Sequence, residues 1–569
     1  MNCPSRTEEP LEGDGMNQNP NSLSADLTTR NDLNGIANTR ALRRIESEIR
    51  TTESVEPDGG TVEGREKGEW REVVVGGGGR GGSVVGDDEG GRGNRFVRAR
   101  EMAVTFGKFI GPGFMIAVAY IDPGNYATDV AAGATYKYKL LFIVLMSNLF
   151  AIFLQSLCIK LGSVSGLNLA ESCRAFLPKW LNIFLYILAE GAIIATDIAE
   201  VIGTAIAINL LIPQIPLVAG CALSIVDVLL ILLFYKPNGS MRGLRAFEMF
   251  VMVLVLGVVI CFCIQLSLIE NTSVGEVFKG YLPSSAIVES DGLYQACGIL
   301  GATVMPHSLY LGSGIVQPRL REYDIKHGHA QPYTESNSSD SESTHKDIYY
   351  PSLSAINFCL KYSILELSIA LFTFALFVNS AILITAGASL YGTDAADADL
   401  FGIYALLSKS IAPAAGTIFA LALLLSGISA GIVCTIAGQM VSEGALNWTI
   451  APWLRRLITR SISITPSIII AGAVGREGLS AALNGSQVAL SVSLPFISAP
   501  LIYFTCRNKY MTVGVHAQRD GTADTEGPEV ETKKMRNHWI TAILGVLIWL
   551  IITVMNIANL VLLGLGEGA

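Results

Sequence analysis

Two short polar motifs each interrupt a long apolar segment of this chain, and their side chains suit the binding of a metal ion. The first motif is Asp122-Pro-Gly-Asn125, and the second runs from Ala302 through Met305 to His307. Asp122 offers an anionic oxygen, Asn125 a neutral oxygen and Met305 a thioether. Oxygen ligands alone suit Ca²⁺ or Mg²⁺, whereas a thioether favours softer ions such as Mn²⁺, Fe²⁺, Co²⁺ or Cd²⁺. The motifs together predict a site for a borderline divalent metal.

Each motif also contains a proline, which removes a backbone donor and clashes with the preceding helical turn. We therefore expect the helices to unwind near mid-membrane at Pro123 and Pro306. Non-helical backbone inside the membrane is tolerated only where it is buried in protein or lines a cavity. An unwound segment would offer the Ala302 carbonyl as a further ligand. A pair of ordinary proline kinks, with Met305 serving only for packing, is the alternative.

The composition indicates an integral membrane protein. Of the 569 residues 50% are hydrophobic and 16% are charged, and the mean hydropathy is +0.45. Soluble domains carry about 25% charged residues. Here the charges concentrate in the first hundred residues and in a few loops, and the apolar stretches between them are long enough to cross a bilayer. No basic block indicates nucleic acid, and the ten scattered cysteines give no disulfide or zinc pattern.

We predict an all-α integral membrane protein with eleven transmembrane helices. Residues 1–98 are rich in Gly, Glu, Arg, Ser and Asn and are predicted to be a disordered cytosolic tail. Residues 104–506 would form a ten-helix transporter core, and residues 539–563 the eleventh helix. The predicted spans are 105–134, 139–161, 180–210, 215–235, 246–269, 292–316, 355–387, 402–438, 454–474, 480–505 and 539–563.

The positions of the motifs and of the loop charges predict topology. The broken spans, one and six, are five spans apart, which is the offset expected for a five-plus-five inverted repeat. Loops on the same side as the N-terminus carry most of the loop lysines and arginines. The positive-inside rule therefore places the N-terminus in the cytosol.

The paired motifs resemble the signature of the Nramp family (natural resistance-associated macrophage protein), which are proton-coupled divalent metal transporters with a LeuT-like fold. The resemblance extends over about residues 104–563. It implies that Asp122, Asn125, Met305 and the Ala302 carbonyl bind the metal. It also implies symport of Mn²⁺, Fe²⁺ and similar ions with protons into the cytosol by alternating access. The membrane would be the plasma membrane or an endosomal or vacuolar membrane.

Two positions depart from the family pattern. Many members carry a second histidine five residues after His307, and here that position is Gly312. The departure leaves open both the proton stoichiometry and any mechanism that needs two histidines. In span ten, a second glutamine often found in the family is replaced by Ser493, so Gln487 is the glutamine assigned to the metal site.

A proton route is expected beside the metal site. Asp197 and Glu200 are three residues apart and share one face of span three. The resemblance implies a path that starts at Asp122 and His307. The path passes Glu200 and Asp197 toward the cytosol, with Arg460 near its end. A fixed structural ion pair between the arginine and the two carboxylates is the alternative.

Further acidic residues in predicted spans include Glu190, Asp227 and Glu366. An ionisable group in the bilayer is a functional candidate by default. Glu190 is a weak candidate for the site, and the sequence assigns no role to the other two.

Other functions fit the residues less well. An amino-acid carrier of the same fold, coupled to Na⁺ or H⁺, would bind a substrate carboxylate, which Asp122 would repel. A non-transporting metal sensor is the second alternative. An enzyme is not expected, since the sequence does not indicate a nucleophile, a base and an orienting group within reach of one another. The expected partners are divalent metal ions, protons and the lipid bilayer, with no cofactor.

Overall fold

The computed structural model describes residues 111–225, 241–269, 272–330, 349–392, 399–410, 412–447, 452–515 and 531–566. The predicted N-terminal tail lies outside these ranges, as do residues 226–235 of the predicted fourth span. Within the ranges the chain is almost entirely helical, as the sequence predicts.

Eighteen α-helices are numbered here in chain order. They are α1 Pro112–Val118, α2 Pro123–Tyr136, α3 Leu141–Ser165, α4 Leu169–Phe176, α5 Lys179–Leu211, α6 Leu217–Leu223, α7 Met241–Ser267, α8 Val274–Gly280, α9 Ser290–Thr303, α10 Pro306–Gly314, α11 Gln317–Lys326, α12 Leu353–Ala370, α13 Leu376–Ser389, α14 Leu400–Ser410, α15 Pro413–Leu446, α16 Pro452–Ala473, α17 Arg476–Cys506 and α18 Trp539–Leu565. A 3₁₀ turn covers Ser285–Val288, and a π-helical segment at Leu371–Ala375 joins α12 to α13.

Eight helical segments in the described part are long and apolar enough to cross a membrane, with lengths between 25 and 37 residues. They correspond to the predicted spans two, three, five, six, seven, eight, ten and eleven. The first predicted span is divided between α1 and α2, and the ninth corresponds to α16, of which Leu457–Ala473 is a shorter apolar helix. These segments support a multi-pass membrane protein.

The predicted eighth span, 402–438, is wrong at its start. The structure divides this region into α14 and α15, and the long helix begins at Pro413. Proline suits the first turn of a helix better than the interior, where it removes a hydrogen bond because it has no amide hydrogen to donate. A span drawn from hydropathy alone therefore ran across a helix boundary.

A small sheet modifies the all-α prediction. Strands β1 (Thr512–Val515) and β2 (Glu531–Lys534) pair antiparallel in the connection between α17 and α18. Just after β2, the Asn537 side chain accepts a 2.8 Å hydrogen bond from Lys160 of α3. The hairpin connection is thereby attached to the helical core.

Glycines allow the broken helices to pack closely against their neighbours. A side chain at Gly203 of α5 would collide with the ring of Pro123, and one at Gly301 of α9 would collide with the backbone oxygen of Gln487 in α17. Small residues at helix contacts let backbones approach in membrane proteins. These glycines therefore set the distance at which α5 and α17 lie from the two breaks.

The contact at Gly301 gives a test of this packing. Gly301→Ala should destabilise the protein by about 1–3 kcal/mol, because the new methyl group is forced into the α17 backbone. We expect a lower melting temperature in detergent and less protein in the membrane fraction.

Gly485→Ala is the matched control, since nothing lies within 4 Å of a side chain added at that α17 position. Equal melting temperatures for the two variants would contradict the packing argument.

Candidate metal-binding site

The first break begins where α1 ends. The amides of Ala119, Tyr120 and Ile121 donate to carbonyls three residues earlier, each at 3.0 Å, so the chain tightens into a 3₁₀-like turn. Asp122 then adopts an extended conformation and becomes the N-cap of α2. Pro123 occupies the first helical position, where a missing amide hydrogen costs nothing.

The Asp122 carboxylate holds the start of α2. It accepts hydrogen bonds from the backbone amides of Gly124 at 3.1 Å and Asn125 at 3.0 Å. An aspartate at the N-cap satisfies amides that have no partner within the helix. The side chain is completely buried. One carboxylate therefore both caps the helix and places a negative charge at the break.

Carbonyls freed by the break are bound by side chains from two other helices. The Tyr120 carbonyl accepts a 3.1 Å hydrogen bond from the Asn379 amide of α13. The Ile121 carbonyl accepts a 2.6 Å bond from the Ser426 hydroxyl of α15. These bonds replace those that a continuous helix would have supplied.

The second break lies between α9 and α10. Val304 and Met305 leave the helical conformation, and Pro306 starts α10. The Met305 carbonyl accepts from the amide and the hydroxyl of Ser308, at 3.1 and 2.7 Å. Met305 is completely buried and forms the N-cap of α10.

The Asn125 side chain joins the two breaks. Its amide nitrogen donates to Asp122 Oδ1 at 2.6 Å and to the Ala302 carbonyl at 3.1 Å. Its oxygen faces the Thr303 hydroxyl at 3.4 Å and the Asn379 amide at 3.3 Å. Three of the residues assigned to the metal by sequence, Asp122, Asn125 and Ala302, are thus brought together.

Gln487 reaches the same region from α17. A side chain at Gly124 would collide with its amide group, so Gln487 lies directly against the start of α2. Its Nε2 donates to Ser486 Oγ at 3.0 Å, while the buried Oε1 has no hydrogen-bond partner among the described residues. This oxygen is available to a cation.

The residues assigned to the proton route form a second cluster, between α5 and α16. The Arg460 guanidinium pairs with Asp197 and lies 3.3 Å from a Glu200 oxygen. Ser463 donates to Asp197 at 2.6 Å. The thiol of Cys434 completes a group in which its sulfur and one oxygen of each carboxylate lie within 4.8 Å of one another.

His307 lies beside this cluster. Its Nδ1 is 3.4 Å from the hydroxyl of Thr196, the residue that precedes Asp197 in α5. His307 is buried in the first turn of α10, two residues after Met305. The histidine thus contacts α5 at the turn that carries Asp197, while its helix begins at the second break.

Gln155 of α3 fills the space at Gly312, the position of the second family histidine. A side chain at Gly312 would collide with the Gln155 amide oxygen. The Gln155 Nε2 donates to the Tyr120 hydroxyl and to the Ser308 carbonyl, both at 2.9 Å. A neutral amide network occupies the region in which an imidazole would need room.

Sequence reasoning missed several residues that complete these clusters. Each has a neutral polar side chain within an apolar segment, and this pattern is too common in the sequence to identify a site. They are Gln155, Thr303, Asn379, Ser426 and Cys434.

Comparisons with known proteins agree on one family. A profile of natural resistance-associated macrophage protein-like (Nramp) proteins matches residues 113–519. The chain is 52% identical over 507 residues to the manganese transporter SMF1 of Saccharomyces cerevisiae, covering 82% of this chain and 88% of that protein. It is 51% identical over 465 residues to the iron transporter SMF3 of the same yeast, covering 79% and 95%.

A solved structure shows the same similarity in three dimensions. The manganese transporter of Eremococcus coleocola, in complex with an aromatic bis-isothiourea substituted compound, superposes with a TM-score of 0.63. The two sequences are 31% identical, and the match covers 80% of this chain and 87% of that one.

The position of Asn379 generates a prediction about metal binding. Asn379→Leu leaves the Tyr120 carbonyl without its donor, which costs about 1–3 kcal/mol, and releases one side of Asn125. We expect the Mn²⁺ affinity of the purified protein, measured by calorimetry, to fall by about ten-fold or more.

Asn182→Leu provides the control. Asn182 is also buried and donates to a backbone carbonyl, that of Ala445, but it does not contact the breaks. An equal loss of affinity in both variants would show that Asn379 has no specific role in the site.

Proposed function

The chain belongs to the Nramp family, and on that premise we propose that it transports divalent transition-metal ions across a membrane together with protons. The cargo would be Mn²⁺, Fe²⁺ and similar ions, delivered to the cytosol by alternating access. The proposed architecture has eleven transmembrane helices. Residues 104–506 form a LeuT-like inverted repeat, residues 539–563 the eleventh helix and residues 1–98 a cytosolic tail. The proposed location is the plasma membrane or an endosomal or vacuolar membrane.

The observation that carries the proposal is the meeting of the two helix breaks around Asn125. One amide group contacts both the Asp122 carboxylate and the Ala302 carbonyl, so these oxygens lie a few ångströms apart. Both are buried in the protein, away from bulk solvent and lipid. The proposed metal ligands are Asp122, Asn125, the Ala302 carbonyl, Met305 and Gln487.

The chemistry of these ligands supports a transition-metal cargo. A single carboxylate with neutral oxygens gives a moderately charged site, and the Met305 thioether favours borderline ions over Ca²⁺ and Mg²⁺. The unpartnered oxygen of Gln487 offers one more ligand. The manganese and iron transporters among the relatives are consistent with this range of ions.

The cluster around Arg460 supports proton coupling. The proposed proton path runs from Asp122 and His307 past Glu200 and Asp197 toward the cytosol. Protonation of either carboxylate would weaken its attraction to Arg460, which links α16 to α5. A proton passing through would thereby change how these two helices are held together.

Proton coupling is tested by uptake into proteoliposomes. With the outside more acidic than the inside, Mn²⁺ uptake should be several-fold faster than without a pH gradient. Each pH unit supplies about 1.4 kcal/mol per proton moved inward. Equal initial rates in the two conditions would contradict the coupling.

The metal site is tested separately with Asp122→Ala, which should abolish Mn²⁺ uptake in both conditions because the site loses its only carboxylate. Calorimetry on the same purified variant should show no specific Mn²⁺ binding. If this variant still binds Mn²⁺ and transports it at a substantial rate, the proposed site is wrong.

Selectivity is tested with Met305→Ala. We expect about ten-fold weaker Mn²⁺ binding and measurable Ca²⁺ uptake, because the remaining ligands are all oxygen atoms. Met511→Ala is the control, since Met511 is equally buried but lies beyond the end of α17. Unchanged selectivity in Met305→Ala would mean that its sulfur serves only for packing.

A further inference from the structure

Three ionisable side chains surround the start of α1, at the end opposite the metal site. Glu248 comes from α7, Arg319 from α11 and Glu366 from α12. All three are buried, with exposed fractions of 3%, 6% and 2%. Glu366 is one of the two acidic residues to which the sequence assigned no role. We call these three residues the α1 clamp.

Glu366 binds the backbone of α1 directly. Its Oε1 accepts from the amide of Gly111 at 2.6 Å and from the amide of Gly113 at 3.1 Å. The first amides of a helix have no partner within the helix, so an outside acceptor is needed when they are buried. One carboxylate oxygen therefore ties two of these amides to α12.

The ion pair of the clamp lies against the same backbone. Arg319 and Glu248 are 2.9 Å apart. A side chain added at Gly111 would lie 2.6 Å from the Arg319 guanidinium and even closer to the Glu248 carboxylate. The backbone φ of Gly111, +155°, also favours glycine. The chain thus rests directly on the ion pair with no side chain between them.

The helix next to the clamp is irregular. Gly113 packs so closely on α12 that an added side chain would lie 2.9 Å from the Leu367 amide nitrogen. The π-helical segment Leu371–Ala375 begins four residues later. Such segments often occur at functional sites within helices. The element that holds α1 is therefore itself locally distorted.

The short length of α1 makes the clamp important for its position. The helix has seven residues, and an isolated helix of that length is not stable in water, because nucleation is costly. Its position depends on packing along its length, where six of the seven residues are buried, and on contacts at its two ends. One end leads to Asp122 through the 3₁₀-like turn, and the other is held by the clamp.

We propose that Glu366 is a positioning residue that holds α1 in the position described above. Release of α1 from the clamp would open the metal site toward the side of the membrane where α1 begins, which is the cytosol in the orientation proposed above. The inference rests on the proposed transport function. The Glu248–Arg319 pair serves as the surface on which α1 is seated.

Hydrogen exchange on the purified protein in lipid nanodiscs tests this role without requiring transport. In Glu366→Leu, the amides of residues 111–118 should exchange at least ten-fold faster than in the original protein, with other helices unchanged. Glu366→Gln keeps one acceptor oxygen of similar shape, so it should restore most of the protection.

Asp324→Leu is the matched control. Asp324 is also buried and accepts from a backbone amide, that of Ser352 at 2.9 Å, but it has no contact with α1 among the described bonds. This variant should loosen the start of α12 and leave residues 111–118 protected.

Transport adds a second readout. Glu366→Leu should raise the KM for Mn²⁺ on the outer side by a factor several-fold larger than the factor by which it lowers the maximal rate. The reason is that a smaller fraction of the molecules has the site closed to the cytosol. The inference is overturned if residues 111–118 keep their protection in Glu366→Leu, or if exchange rises uniformly in all helices of both Glu366 variants. Absence of Mn²⁺ uptake in the original protein would instead count against the proposed function.

Discussion

Lipid offers no hydrogen-bond partner to a backbone carbonyl, and the construction of both helix breaks follows from this constraint. An unpaired backbone group in hydrocarbon costs several kcal/mol. At the first break, Asn379 and Ser426 bind the freed carbonyls of Tyr120 and Ile121, and Asp122 binds the exposed amides of α2. The groups that make the break tolerable are the same groups that surround the proposed metal position.

The breaks themselves were predictable because their cause is local. Proline removes a backbone donor and disfavours the preceding helical turn, and an acidic residue beside it is conspicuous within an apolar segment. The partners of the breaks were not predictable in this way. Asn379 lies more than 250 residues from Asn125, and no spacing rule relates the two. Only packing of the whole bundle brings Asn379 and Gln155 to the first break.

The sequence also mispredicted one helix boundary and missed a small sheet, and both errors have physical causes. Hydropathy averages over a window, so it missed the boundary at Pro413 and merged two helices into one span. Short strands between two spans contain too few alternating apolar and polar residues to be recognised, and the β1–β2 hairpin was missed for this reason. The cluster of Asp197, Glu200 and Arg460 was expected from the family resemblance. The structure brings these three side chains into contact, and the proton route through them stays a prediction.

The hydrogen bonds of the Asn125 amide affect how strongly the proposed site can bind a metal ion. Its nitrogen donates hydrogen bonds to Asp122 Oδ1 and to the Ala302 carbonyl, and so occupies lone pairs that a bound ion would use. In the proposed site, an ion that binds must displace this amide and break its two hydrogen bonds, and the bonds re-form when the ion leaves. These internal hydrogen bonds compete with ion binding, and in the proposed transport function this competition moderates affinity and speeds release of the ion.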